Sequence, residues 1–131
     1  MSYLLDTTVV ADHLDGLYGA PQVLVRLSEE TSDIFVCDAV VAEVLPKGSD
    51  EQIQWMDRLL QAFEYVATGP DAARRAGEGR RTRGQTSHRR LGDSLIAAVA
   101  WQLGATIVTR NPRDFDDAGV PVLAYGPNAK R

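Results

Sequence analysis

An α/β fold with a mostly parallel sheet is what this sequence predicts. Three observations carry it. Short runs of strand-forming residues alternate with longer stretches of helical periodicity. Glycine, proline and capping residues separate them. Acidic residues recur just beyond the predicted strands, where open parallel sheets form their ligand crevice.

The elements follow in order. "SYLLD" reads as a short buried strand that ends at Asp6. "TTVVADHLDG" reads as a helix, with Thr7 or Thr8 as cap and Gly16 as stop. In "APQVLVRLSEET", Val23, Leu24 and Leu27 share a helical face, and Pro21 suits a first turn. "DIFVCD" predicts a second strand from Ile34 to Cys37. "DAVVAEVL" reads as a helix capped by Asp38 and ended by Pro46 and Gly48. "SDEQIQWMDRLLQAF" is an amphipathic helix capped by Ser49 or Asp50, with Ile53, Met56, Leu59, Leu60 and Phe63 as its stripe. "EYVAT" supplies a third strand. The stretch from Pro70 to Asp93 starts as a helix that Gly77, Gly79 and Gly84 weaken. "DSLIAAVAWQLGA" is the strongest helix, with Asp93 at its start and Gly104 as C-cap. "TIVT" and "VLAY" are the last strands, joined by the loop "RNPRDFDDAGVP". No internal repeat or linker interrupts the chain, so its 131 residues are expected to form one domain over 1–131.

Composition narrows the class. An apolar content of 44% is enough for a real core. No apolar run reaches the length of a membrane span, so no membrane partner is expected. The first residues lack a basic stretch followed by a long apolar one, which predicts no signal peptide. The lone Cys37 cannot pair internally, and its apolar setting reads as an inert core thiol in a reducing, cytoplasmic protein. With no CxxC and only His13 and His88, both expected at the surface, a zinc site is not predicted. The net charge of -4 argues against a general nucleic-acid binder. Its distribution says more: seven of the fourteen Lys and Arg residues are arginines between positions 74 and 90.

Four places carry acids at apolar boundaries. Asp6 ends the first strand, Glu43 sits inside "VVAEVL", and Asp93 precedes an almost wholly apolar helix. The loop after "TIVT" brings Asn111, Asp114 and Asp116. An ionised carboxylate removed from water must be paired, hydrogen-bonded or metal-bound. Converging acids would repel by about 4 kcal/mol per close pair at an effective dielectric near 20. No lysine stands beside them, since the only two are Lys47 and Lys130. Oxygen donors without His or Cys suit a hard cation, Mg²⁺ or Mn²⁺. Such ions serve phosphoryl chemistry, and the arginine segment then has a role in holding a nucleic-acid backbone. Each residue also has a plainer reading. Asp6, Asp38 and Asp93 read as helix caps, Glu43 as a solvated or salt-bridged side chain, Asp116 and Asp117 as loop acids, and the arginines as a solvated face.

"YLLDTTVV", "VVAEVL" and "LGDSLIAAVAWQLGATIVTRNPRDF", in that order, resemble the PIN-domain family, most closely the VapC toxins of bacterial toxin–antitoxin pairs. The resemblance covers essentially the whole chain. It implies a PIN-like three-layer α/β/α sandwich with a central, mostly parallel sheet. It also implies an endoribonuclease dependent on Mg²⁺ or Mn²⁺, commonly a homodimer, acting on an RNA substrate. A VapB-type antitoxin, whose tail occupies the acidic pocket, is the implied partner. By position, Asp6, Glu43 and Asp93 match the family's first three acids. Thr7 or Thr8 matches the hydroxyl residue after the first acid, and Thr109 ends the last motif strand. The fourth position falls on Asn111, directly after Thr109-Arg110, or on Asp114, with Asp116 a third choice. The expected catalytic set is thus Asp6, Glu43, Asp93, Asn111 and Asp114, with Asp6, Glu43, Asp93 and Asp114 as metal ligands. Pro46 shortens the Glu43 helix where relatives usually continue, and the glycines of the arginine segment suggest mobility without RNA.

Two other classes fit the same residues less well. A non-catalytic PIN-like binding module has no need to keep mutually repelling acids. A metal-dependent phosphohydrolase of small substrates leaves the arginine segment without a use. A response-regulator reading fails because Thr109-Arg110 stands where a lysine is required.

Overall fold

The computed structural model describes residues 1–129. Five strands form one sheet: β1 (Tyr3–Leu5), β2 (Ile34–Cys37), β3 (Glu64–Val66), β4 (Thr106–Thr109) and β5 (Val122–Ala124). Their order is β3-β2-β1-β4-β5 and every pairing is parallel, so the sheet is wholly rather than mostly parallel. β1 lies at the centre, with Tyr3 opposite Ile34 on one side and Thr106 on the other. A strand covered on both faces must be apolar throughout. Leu4, Leu5, Val36, Ile107 and Val108 accordingly have no exposed surface.

Among the described residues, six helices flank the sheet: α1 (Thr7–Asp15), α2 (Ala20–Glu30), α3 (Asp38–Val44), α4 (Asp50–Ala62), α5 (Pro70–Thr82) and α6 (Leu91–Leu103). Val9, Val10, Val40, Ile96 and Val99 carry the core from the sheet into the helical layers. Short 3₁₀ turns follow α3 at Leu45–Lys47 and β4 at Pro112–Phe115. Pro46 ends α3 as expected, because it cannot donate to the preceding turn. α6 is apolar almost all round and buries Ile96, Ala98, Val99 and Ala100. Gly104 closes it in a left-handed conformation, its N–H donating to the Ala100 carbonyl. Cys37 is fully buried in β2, and burial pushes its thiol up.

Three local expectations are corrected. α5 does not dissolve at Gly77 and Gly79 but runs on to Thr82. Its buried Ala72 and Ala76 pack it along α6, and that tertiary contact outweighs a glycine cost of about 1 kcal/mol each. Asp93 is not an N-cap; α6 begins two residues earlier, and Asp93 lies in its first turn. Asp38 begins α3 rather than capping it from outside. Its carboxylate accepts from the Ala39 N–H at 2.9 Å and from both the N–H and the hydroxyl of Thr68, which hold it below the usual carboxylate range.

For α4 the cap is Ser49. Its hydroxyl accepts from the Gln52 N–H at 3.2 Å, and the Gln52 side chain accepts from the Ser49 N–H at 3.0 Å. Ser49→Ala is expected to cost about 1 kcal/mol of unfolding free energy, measured by urea titration, with no change in the site.

Candidate active site

In the order β3-β2-β1-β4-β5, successive connections leave β1 toward opposite edges of the sheet, so the crevice lies between the carboxyl ends of β1 and β4. Asp6 follows β1 there and is 3% exposed. Its backbone N–H donates to the Val108 carbonyl at 3.0 Å. Thr109, the last residue of β4, donates its hydroxyl to Asp6 Oδ2 at 2.7 Å, and the Thr8 hydroxyl donates to the same oxygen at 3.0 Å. Thr8 in turn accepts from the Arg110 N–H, and Thr109 accepts from the Asn111 N–H, both at 3.0 Å. One carboxylate oxygen is therefore locked across the switch point. Burial still pushes the Asp6 carboxyl above its ordinary range, against the opposing effect of these two hydroxyls.

The other acids come from three separate elements. Asp93, in the first turn of α6, has its pKa raised to about 6. Burial is the largest cause, followed by the charges of Asp6, Asp114 and Glu43, with Arg90 acting the other way. Asp6, Glu43 and Asp114 thus lie near enough for their charges to bear on Asp93. Glu43 is exposed, not buried as its apolar neighbours suggested. Val40 and Val44 take the inward face of α3 and turn Glu43 outward, where its Oε1 accepts from the Thr7 hydroxyl at 2.9 Å. Thr7 and Thr8 divide the work: the first holds Glu43 and the second Asp6.

Among the three loop candidates, Asp114 is the one that bears on Asp93. The Arg90 guanidinium sits between them, 3.8 Å from Asp93 Oδ2 and 3.9 Å from Asp114 Oδ1, and donates to the Asp114 carbonyl at 2.8 Å. Arg90, which immediately precedes α6, has a left-handed backbone conformation, φ 63°, unusual for a residue with a side chain. Asn111 contributes backbone groups, donating to Thr109 and accepting from the Asp114 N–H. Asp116 is exposed.

The donor set is chemically consistent. Asp6, Glu43, Asp93 and Asp114 offer oxygen only, which suits Mg²⁺ or Mn²⁺ and not zinc. Among the described residues, no three His, Cys, Asp or Glu side chains are drawn close enough to grip an ion as they stand. The Asp93 carboxyl is raised first by burial and then by the charges of Asp6, Asp114 and Glu43, and a cation bound beside it would favour the charged form.

Beside the acids lies a cleft of about 330 Å³ between α5, α6 and the 112–118 loop, lined by Arg75, Arg83, Gln85, Arg90, Asp93 and Asp114. The arginine segment is therefore not one uniform surface. Arg80 is buried and donates to the carbonyls of Ser87 and Arg89, tying down the stretch that leads to Arg90. Arg74 pairs with Glu78 in solvent, at 3.3 Å. Arg75 lies over the Trp101 ring at 4.0 Å, and Arg83 is 3.9 Å from Asp117. A smaller cleft of about 190 Å³ shares Glu43 and is also lined by Thr7, Lys47 and Gln52.

Sequence reasoning missed a buried trio beside the site. Asp12, 4% exposed, accepts from Arg110 Nε and from the Tyr125 hydroxyl, both at 2.7 Å. Arg110 also stacks over the Tyr18 ring at 4.4 Å. The available signal was the helical register of α1, which puts Asp12 three residues after the buried Val9. His13, expected at the surface, is half-buried, which lowers its pKa; His88 is exposed.

Residues 3–121 match the PIN domain, and the chain belongs to that family. Within it, the chain is a homologue of the VapC ribonucleases. Ribonuclease VapC19 of Mycobacterium tuberculosis is 32% identical over 114 residues, spanning 86% of this chain and 90% of that protein. Ribonuclease VapC11 of the same organism is 32% identical over 127 residues, spanning 86% and 88%. The fold is also that of VapBC2 from Rickettsia felis, solved bound to a DNA fragment from the promoter of that pair. It aligns with a TM-score of 0.77 at 21% identity over 95% of this chain and 99% of that one. A toxin–antitoxin complex from Klebsiella pneumoniae aligns with a TM-score of 0.74 at 26% identity, covering 94% and 97%. No described helix is long and apolar enough to cross a membrane.

Proposed function

We propose that this chain is the toxin of a VapBC-type pair, an endoribonuclease whose site holds Mg²⁺ or Mn²⁺ through Asp6, Glu43, Asp93 and Asp114. The observation that carries this is how the four acids are held: Thr8 and Thr109 bind Asp6, Thr7 binds Glu43, and the Arg90 guanidinium lies 3.8 Å from Asp93 and 3.9 Å from Asp114. A divalent cation held there polarises a phosphoryl oxygen and lowers the pKa of an attacking water.

The chain's own residues do the rest. Thr8 and Thr109 fix Oδ2 of Asp6 and so hold the carboxylate in one orientation. Thr7 orients Glu43. Arg75, Arg83 and Arg90 supply phosphate donors along the cleft that leads to Asp93. The Asn111 N–H steadies Thr109, so Asn111 acts through the strand end. The two clefts share the acids' neighbourhood, one at Asp93 and one at Glu43, which suits a single RNA strand laid across them.

The relatives' solved complexes support a VapB-type antitoxin as partner. A basic antitoxin tail would meet the same negative charge that a cation meets. A homodimer is part of this reading, with the α2 and α4 surfaces, including the exposed Val25, Ile53 and Trp55, as the faces available to it.

Growth of cells that express the chain without an antitoxin tests the proposal. Arrest by the wild type, and normal growth at equal expression of Asp6→Asn, is the expected pair. Equal arrest by both proteins contradicts it, and normal growth with both moves the weight to a non-catalytic binding module.

A further inference from the structure

Gly92 is not explained by its backbone. It lies inside the first turn of α6, without the positive φ that favours glycine, at a position where alanine would be about 1 kcal/mol better for the helix. Its surroundings explain it. A Cβ placed on Gly92 would stand 2.4 Å from Glu43 Oε1, 2.6 Å from Glu43 Cδ and 2.8 Å from Glu43 Oε2. No real side chain tolerates such distances. The Glu43 carboxylate therefore rests in the space that the missing methyl group leaves.

This contact matters because little else holds Glu43. Its side chain is exposed, and the Thr7 hydroxyl is its one hydrogen-bond partner among the described residues. α3 and α6 pack together, and Gly92 precedes Asp93 directly. The notch at Gly92 lets the carboxylate from α3 come down onto α6 beside the Asp93 position.

We propose that Gly92 is a positioning residue: its lack of a side chain seats the Glu43 carboxylate among the cation-binding acids. This rests on the reading of Glu43 as a cation ligand. The atoms a Cβ would meet are the far end of a flexible side chain, not backbone. Gly92→Ala therefore displaces the carboxylate without breaking the fold.

Titration of Mn²⁺ into the purified chain, read by calorimetry, tests this beside melting curves of the metal-free proteins. Gly92→Ala is expected to weaken Mn²⁺ binding about 10–100-fold while melting no lower than wild type. Added to Glu43→Gln, it is expected to produce no further loss, because both changes remove the same contact. Wild-type affinity in Gly92→Ala overturns the proposal, and so does an additive loss in the double variant. A melting temperature more than about 5 °C below wild type also overturns it, since the added methyl group then meets more than a mobile carboxylate. Glu43→Gln alone separates the two levels of failure. If it binds Mn²⁺ like wild type, the reading of Glu43 as a ligand falls, and the role of Gly92 with it.

Discussion

Asp93→Asn is expected to reduce RNA cleavage by at least about 100-fold, the upper end of what even indirect partners command at metal sites. The same substitution is expected to raise the melting temperature of the metal-free protein at neutral pH. Both effects come from one fact. Asp93 is charged against burial and against Asp6, Asp114 and Glu43, which lifts its pKa to about 6. The folded value lies above the ordinary 3.8. Between about pH 4 and pH 6, the unfolded chain releases a proton that the folded chain keeps, so this group's contribution to stability falls as pH rises through that window. Above it the penalty is constant. Asparagine carries no such penalty, so its metal-free melting curve should show a smaller decline across the same window. A metal-free Asp93→Asn protein that melts below wild type at neutral pH would contradict this electrostatic account.

Arg110→Ala is expected to cost about 3–5 kcal/mol of unfolding free energy, the usual consequence of stripping a buried charge of its partner. Asp12 would keep only the Tyr125 hydroxyl in a setting where it is 4% exposed. The change also removes the stacking of the guanidinium on Tyr18. Lysine should recover little, because it lacks both the Nε–H that reaches Asp12 and the flat guanidinium that stacks on Tyr18. Arg83→Ala provides the comparison. It breaks an exposed 3.9 Å pair with Asp117 and is expected to cost less than about 1 kcal/mol. Urea titrations of the three variants decide the point, and an Arg110→Ala loss no larger than that of Arg83→Ala would contradict it.

Much of this fold is legible in the sequence. The alternation of strand-like and helical stretches points to a mostly parallel sheet, and short apolar runs such as "YLL" and "TIV" agree with strands covered on both faces. The acids were legible because a carboxylate beside Leu5, or opening the helix "SLIAAVA", is costly and demands a reason. Side-chain direction was less legible. Glu43 turns outward because Val40 and Val44 claim the inner face of a helix only seven residues long, and a short apolar string does not reveal that phase. The glycines of α5 misled because helix propensity ignores the packing of Ala72 and Ala76 on α6. The arginine run read as one surface, whereas Arg80 is structural, Arg74 is solvated and Arg90 reaches the acids. Composition cannot divide such a run. The trio of Asp12, Arg110 and Tyr125 joins residues about a hundred positions apart, and no local pattern announces it.

Cleavage of total cellular RNA by the purified, antitoxin-free chain tests the central claim most directly, with Mg²⁺, with Mn²⁺ and with EDTA, beside Asp93→Ala. The acidic site predicts discrete cuts with either ion, none with EDTA and none from the variant. Cutting that persists in EDTA or in Asp93→Ala would contradict it, as would a folded wild-type chain that leaves RNA intact with both ions.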